Sequence, residues 1–204
     1  MALVAWAAAS CASSTACPFG TVQPPPGTLL GAFSMHAEPA SLEPPVAECE
    51  LDEVVPAAFD FDLALSMDED AGQPYVTLSA GYSRLATWDG QVVRSRADAR
   101  RYFEQCSECV TRVQEDIDVA LLSRSQSAAV GNGCPANPLD GGVPPPDDAG
   151  IEAPGQRPEG FDALLACGEL RTEVLVDQGL PDGGPCPSIC AACRTFYLLR
   201  GERR

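Results

Sequence analysis

Ten cysteines are the residues of this 204-residue chain whose type and spacing most readily support chemistry. Four of them form two Cys-x-x-Cys pairs, Cys106 with Cys109 and Cys190 with Cys193. Such pairs bind zinc as thiolates, or exchange disulfides where a helix N-terminus lowers a thiol pKa. The two pairs lie about eighty residues apart, against about 15–20 in a zinc ribbon. Neither is predicted to lie between a strand and a helix, which leaves structural bonds as the favoured role.

The remaining cysteines lie among Gly-, Pro- and Asp-rich segments. So many thiols indicate an oxidising compartment, because the cytosol keeps cysteines reduced. The sequence does not choose among the possible pairings, and no metal site is predicted. The candidate disulfide cysteines are Cys49, Cys106, Cys109, Cys134, Cys167, Cys186, Cys190 and Cys193.

Side chains suited to catalysis are scarce. All 13 basic residues are arginines, which excludes mechanisms that need a lysine amine. His36 is the only histidine, and the chain has no Gly-x-Ser-x-Gly motif to supply a nucleophile. Asp68-Glu69-Asp70 resembles the start of a calcium loop, but Ser79 stands where that loop ends in glutamate. We predict no catalytic residue, no cofactor and no enzymatic activity.

The chain is strongly acidic, with 29 acidic residues, 13 basic residues and a net charge of −16. Its arginine-rich stretch, Arg94 to Arg101, contains Asp98 and is interpreted as the solvated face of a strand. A surface of negative sign repels phosphates, so no nucleic-acid partner is predicted.

The first residues resemble the export signal of a bacterial lipoprotein. An apolar run from Leu3 to Ala9 leads into Ala8-Ala9-Ser10-Cys11, which is similar to a lipobox. The resemblance implies a signal peptide over residues 1–10, lipidation of Cys11 and a Pro-rich tether over residues 11–27. The protein would then be extracytoplasmic and lipid-anchored in a bacterial envelope membrane. Cys17 is the alternative acylation site, and secretion without a lipid is the alternative fate.

Alternation of apolar and polar residues predicts β-strands in the rest of the chain, most clearly from Phe59 to Met67. No proline occurs from residue 75 to residue 133, which is typical of central strands because proline cannot donate to a ladder. The hairpin signal Asp89-Gly90 divides this window into Tyr75–Trp88 and Gln91–Phe103. Cys106–Cys109 is predicted to form the next turn.

Residues 57–123 are therefore expected to form an antiparallel meander of four strands. Glu115 interrupts its apolar face, and the Pro-, Gly- and Asp-rich residues 124–162 are predicted to form a long loop. Residues 28–204 are predicted to be a single all-β domain, an antiparallel barrel or β-sandwich of about seven strands stapled by disulfides. The expected core residues are Phe59, Phe61, Leu63, Val93, Ile117, Val119 and Leu121, and the expected solvent-facing residues are Asp60, Asp62, Arg94, Arg96, Asp116 and Asp118.

Two short segments resemble calycin barrels, the lipocalin-type family. Leu30-Gly31-Ala32-Phe33 is similar to the Gly-x-Trp opening of the family's first strand, with Phe33 in place of tryptophan. Tyr197-Leu198-Leu199-Arg200 is similar to the last strand, whose arginine packs over that ring. The resemblance implies a barrel instead of a sandwich.

A ligand- or protein-binding β domain is the predicted function, with a small apolar ligand or an envelope protein as its partner. The alternatives are a purely structural or interaction component of the cell envelope and, less favoured by the residues present, a secreted enzyme. An apolar cavity with a few convergent polar groups would favour binding, whereas a densely packed interior would favour the structural role.

Replacement of Cys11 by serine tests the lipoprotein prediction. The variant lacks the thiol that would be acylated, so Cys11→Ser should move from the membrane fraction to the soluble fraction. Cell fractionation, with mass spectrometry of the mature N-terminus, measures both location and modification. A mature chain that starts at Met1, or at an unmodified residue other than Cys11, would contradict the prediction.

Overall fold

Eight strands and one short helix make up the described part of the computed structural model. It describes residues 26–40, 58–68, 70–79, 83–103, 106–144, 162–178 and 192–204, with the backbone alone at 101–108 and 177–178. The strands are β1 (Thr28–Pro39), β2 (Phe59–Asp68), β3 (Gln73–Leu78), β4 (Ser83–Trp88), β5 (Val92–Phe103), β6 (Cys106–Ser123), β7 (Ala163–Gln178) and β8 (Cys193–Arg203), and the helix α1 is Arg124–Ala129.

The strands form one closed antiparallel barrel in which each strand pairs with its neighbours along the chain. Closure comes from β1 and β8, which pair from Phe33 opposite Arg203 to Pro39 opposite Tyr197. The predicted all-β antiparallel fold is confirmed. Of the two architectures that the sequence left open, the chain adopts the barrel.

The strand count is eight, so the expectation of about seven strands, four of them in residues 57–123, was wrong. The segment Tyr75–Trp88, predicted to be continuous, is divided between β3 and β4. Leu78 makes the last pair of β3 with β2, opposite Leu63. At the next position the Ser79 hydroxyl accepts the N–H of Asp62 at 2.6 Å and lies 3.3 Å from its carbonyl oxygen. A side chain therefore replaces the backbone at this point, and β3 ends.

A second correction concerns Cys106–Cys109, which was predicted to form a turn. These residues lie in β6, where Cys106 pairs with Phe103 of β5 and Val110 pairs with Tyr102. A register shift between Tyr102 and Phe103 accommodates the extra residues, so β6 begins within the segment that was predicted to be the turn.

The predicted core residues lie on the inward face of the barrel. Leu63, Val93, Ile117, Val119 and Leu121 are all buried, and Phe59 and Phe61 pack partly buried against them. The predicted solvent-facing acids and arginines occupy the alternate positions of the same strands. Period-2 alternation is thus sufficient to assign the two faces of these strands.

Two glycines mark places where the barrel has no room for a side chain. A Cβ on Gly201 would overlap the sulfur of Met35, its partner across the β1–β8 seam. A Cβ on Gly168 would overlap the backbone carbonyl of Asp118 in the neighbouring strand β6. These close approaches let large side chains from β1 and β6 fill the interior.

Residues 124–144, the described part of the segment predicted to form a long loop, pack against the outer wall. Helix α1 begins with a capping box in which Ser123 and Gln126 exchange side-chain and backbone hydrogen bonds. Val143 joins an apolar cluster on the outside of β5, β6 and β7. A disulfide between Cys134 and Cys167 fastens this segment to β7. We call residues 124–144 the strap.

Truncation of Ile117 should destabilise the barrel strongly. Its side chain is 1% exposed, and loss of such a core side chain to alanine typically costs about 2–5 kcal/mol in the free energy of unfolding. Leu198→Ala is the matched control, because this outer-face leucine is 49% exposed and its truncation should change stability by less than about 0.5 kcal/mol. Chemical denaturation measures both, and equal losses would contradict the assignment of the two faces.

Candidate functional site

One end of the barrel interior carries a buried ion pair. Arg84, near the start of β4, and Glu115, in the middle of β6, both lie on the inward face, opposite Val76 and Ala97 respectively. Arg84 Nη1 lies 2.6 Å from Glu115 Oε1, and the two side chains are 12% and 7% exposed. Each charge needs the other, because a single buried charge left without a partner is strongly destabilising.

The pair spans β5, which lies between the two strands that carry it. Within the described residues β4 pairs with β5 at Ala86–Ser95, Thr87–Arg94 and Trp88–Val93. Arg84 lies beyond the last of these pairs. On β5, the residue opposite Glu115 is Ala97, whose small side chain leaves space for Arg84 to reach β6. The ion pair therefore joins β4 to β6 where the backbone pairing of β4 with β5 has ended, while β4 still pairs with β3.

Two buried threonine hydroxyls lie on the same inward face. Thr172 of β7 is directly opposite Glu115, and Thr111 lies four residues before Glu115 on β6. Thr111 is 0% exposed and Thr172 is 3% exposed. Neither Oγ1 atom has a hydrogen-bond partner among the described residues. A buried hydroxyl without a partner costs about 1–3 kcal/mol. We call Arg84, Thr111, Glu115 and Thr172 the polar end.

Aromatic rings also line the inward face, on β2 and β8. The Phe59 ring meets the Tyr197 ring edge-on at a centroid distance of 5.1 Å, and the Phe61 ring lies 5.8 Å from Phe59. Tyr197 is opposite Leu170 of β7, two positions from Thr172, and burial raises the pKa of its phenol. We call Phe59, Phe61 and Tyr197 the aromatic wall, which adjoins the polar end at Thr172.

The opposite end of the interior is a packed apolar core. It is filled by large side chains from four strands, none more than 3% exposed: Phe33, Leu65, Met67, Trp88, Val119 and Leu121. Along the barrel axis the interior therefore has a hydrophobic end, which lies near the strap, and the polar end.

On the outer face, β5, β6 and β7 carry rows of charged residues. One row is Arg94, Asp118 and Glu169, and the next is Arg96, Asp116 and Arg171. A groove of about 550 Å³ crosses these rows from β4 to β7. We call it the outer groove; its lining includes Gln73, Leu85, Arg94, Arg96, Asp118 and Arg171.

Three carboxyl groups around the outer groove have shifted pKa values. Burial, with a smaller contribution from Asp116, raises the pKa of Asp118 above its usual value, against the attraction of nearby arginines. Burial also raises the pKa of Glu169, and the neighbouring Asp118 and Asp140 add to the effect. The pKa of Asp89 is shifted in the opposite direction, below its usual value. Burial would raise its pKa, but hydrogen bonds from Val92, Arg94 and Gln91 together lower it.

The cysteines singled out in the sequence have different outcomes. Cys134 and Cys167 are bonded to each other, and Cys109 and Cys193 are also in disulfides. None of the cysteines whose side chains are described is a free thiol. Those outside the described residues or side chains are Cys11, Cys17, Cys49, Cys106, Cys186 and Cys190, so acylation at Cys11 stays a prediction.

His36 and the acidic segment that resembles the start of a calcium loop both form ordinary surface contacts. His36 Nδ1 lies 2.7 Å from Asp60 Oδ1 on the exposed face of β1 and β2. Asp68 Oδ1 accepts the N–H of Ala71 at 3.2 Å, which supports a turn. Within the described ranges no group of three or more His, Cys, Asp or Glu side chains is arranged to hold a metal ion. The same ranges include no helix long and apolar enough to cross a membrane.

The two segments that resemble calycins lie on adjacent strands. Phe33 is fully buried, and its partner across the β1–β8 ladder is Arg203. Arg203 Nη1 donates to the carbonyl oxygen of Ala163 at 3.4 Å. Arg200 instead lies on the outer face beside Glu202. The arginine opposite Phe33 is therefore Arg203, which lies three residues after Arg200, the arginine of the calycin-like segment.

The polar end was missed as a site by sequence reasoning. Glu115 was noted only as an interruption of an apolar face, and no role was predicted for Thr111 or Thr172. The available signal was the charge itself: an inward acid on a central strand requires a basic partner. The sequence does not identify that partner, because Arg84 lies 31 residues earlier on a strand whose start was not recognised.

Removal of one member of the buried pair should destabilise the protein more than removal of both. Arg84→Met or Glu115→Leu leaves a buried charge alone, which typically costs about 3–5 kcal/mol. The double variant Arg84→Met/Glu115→Leu removes both charges and should recover most of that loss. A double-mutant cycle by chemical denaturation measures the coupling. Additive losses from the two substitutions would show that the side chains do not interact.

Comparison of the chain with protein-family models, with curated proteins and with solved structures found no match. The functional assignment therefore depends on the chemistry of the polar end and of the outer groove.

Proposed function

We propose that this protein is an extracytoplasmic, lipid-anchored binding protein whose barrel holds a small amphipathic ligand at the polar end. The observation that carries the proposal is the buried hydroxyl of Thr172, which lies opposite Glu115 of the ion pair and has no hydrogen-bond partner among the described residues. The hydroxyl of Thr111, four residues before Glu115 on β6, is in the same condition. Buried polar groups in folded proteins are almost always hydrogen-bonded. A ligand that supplies the missing hydrogen-bond partners explains why hydroxyl groups are present at these buried positions.

The charges of the polar end indicate a neutral polar head group. Arg84 and Glu115 already balance each other at 2.6 Å. A ligand carboxylate would be attracted by one and repelled by the other, and the same holds for an amine. A hydroxyl, ester or amide group can bond to the Thr172 hydroxyl without disturbing the pair.

The apolar part of the ligand is expected to lie against the aromatic wall. Phe59 and Phe61 are partly buried and face the interior beside Tyr197. Sites for small molecules combine such apolar surfaces with a few placed polar groups. An acyl chain with an uncharged head group, as in a monoacylglycerol, has this combination.

The purely structural alternative also has an observation in its favour. The hydrophobic end of the barrel is filled, with Phe33, Leu65 and Val119 at 0% exposed. A protein that only stabilises the envelope needs no more than such a core. The two readings differ in the role of the Thr172 hydroxyl, which a structural barrel does not need.

Thr172→Val separates these two readings, because it removes the hydroxyl and keeps the shape. Loss of an unpartnered buried hydroxyl should leave stability unchanged or raised. Binding of monolauroylglycerol, measured by titration calorimetry, should weaken about tenfold, the equivalent of about 1.4 kcal/mol. Thr28→Val is the control, since Thr28 is an exposed strand threonine, and it should bind as the unmodified protein does. Absence of binding in the unmodified protein, or equal binding by both variants, would overturn the proposal.

A further inference from the structure

The outer groove has the size of a second binding site, and most of its lining is charged or polar. It lies on the outside of β4 to β7, whereas the polar end lies on the inward face of the same sheet. Its volume of about 550 Å³ falls within the range of about 300–1,000 Å³ that is usual for small-molecule sites. It is centred where β4 and β5 stop pairing, and the Ser95 hydroxyl there donates to the Leu85 carbonyl at 3.0 Å.

The arginines of the groove are already neutralised by carboxylates. Arg94 Nη1 lies 2.6 Å from Asp89 Oδ2. Arg96 donates to both carboxylate oxygens of Asp116, at 2.6 and 3.3 Å. Arg171 Nη2 lies 3.3 Å from Glu169 Oε2. An anionic ligand would have to compete with these internal partners.

Asp118 is the charged group of the groove that has no such partner. It stands between Arg94 and Glu169 in its row. Its carboxylate has no hydrogen bond and no ion pair within the described part of the chain, because its cross-strand neighbour Arg94 is paired with Asp89. Arg94, Arg171 and Arg96 nevertheless attract it and act to lower its pKa. Its side chain is only partly exposed, and burial raises its pKa because the charged form is poorly solvated. A cation placed against this carboxylate would compensate the lost solvation.

The groove also offers an apolar surface beside this carboxylate. Leu85, on its β4 side, is 64% exposed, the highest value among the exposed leucines of the described strands. An aliphatic chain extending from a cationic group bound at Asp118 would cover it. The net charge of −16 would raise the local concentration of such a cation.

We propose that the outer groove binds a small aliphatic ammonium compound, with Asp118 as the counter-ion and Leu85 as the apolar contact. This site is independent of the barrel interior, so it stands whether or not the polar end binds a ligand. The ligand class is a primary amine on an unbranched carbon chain. A lysine side chain of a partner protein carries the same chemistry, and the experiment separates the two sources.

Hexylammonium is the probe, titrated into isotopically labelled protein and followed by amide chemical shifts. Shift changes are expected at residues of the groove, such as Leu85, Arg96 and Asp118. Asp118→Asn should weaken binding at least tenfold and should not lower the melting temperature. Asp98→Asn is the matched control, because Asp98 is an exposed aspartate of the same outer face that does not line the groove. It should bind like the unmodified protein.

Four results would overturn the proposal. One is the absence of shift changes at the groove. A second is equal weakening by Asp118→Asn and Asp98→Asn, which would mean general attraction to an acidic surface. A third is stronger binding of hexanoate than of hexylammonium, which would show that the groove prefers anionic ligands. The fourth is binding of a lysine-containing tripeptide at the groove without binding of hexylammonium, which would assign the surface to a protein partner.

Discussion

Pairing of the first described strand with the last is the constraint on which the rest of the barrel depends. β1 and β8 close the sheet from Phe33 opposite Arg203 onward, so its interior has a fixed volume. Every strand must supply its alternate residues to that volume. Gly168 and Gly201 lie where even a methyl group has no space. In such an enclosure a charge is tolerated only with its partner, and the pairing of Arg84 with Glu115 follows from this requirement.

Strand β4 connects the two candidate sites, and side chains replace part of its ladder. Pro74 of β3 lacks an N–H, and Gln73 Nε2 donates to the carbonyl of Ala86 at 2.8 Å in the neighbouring strand. On the other side, the Ser95 hydroxyl bonds to Leu85. Further along β4, the inward Arg84 reaches Glu115. The polar end and the outer groove are therefore two faces of one short strand, held by side chains where backbone pairs are few.

The fold was predictable where a single strand carries its own pattern. Alternation identified the inward face of Phe59–Met67 and of the strands with Val93 and Ile117, because inside and outside are set by the pleat. It could not separate β3 from β4, since both present even-numbered residues inward and one continuous strand would assign the same faces. The candidate sites could not be predicted from the sequence in this way. Their geometry comes from register between distant strands, such as Glu115 opposite Thr172, and no local pattern encodes register across a closed sheet.

The Cys134–Cys167 bond has a topological consequence for the chain. It joins two residues 33 positions apart, so the strap and β7 are linked both through the backbone and through sulfur. A protease that cuts one peptide bond between these cysteines does not produce two separate molecules. β8, which closes the barrel, remains covalently joined to the strands that precede the cut.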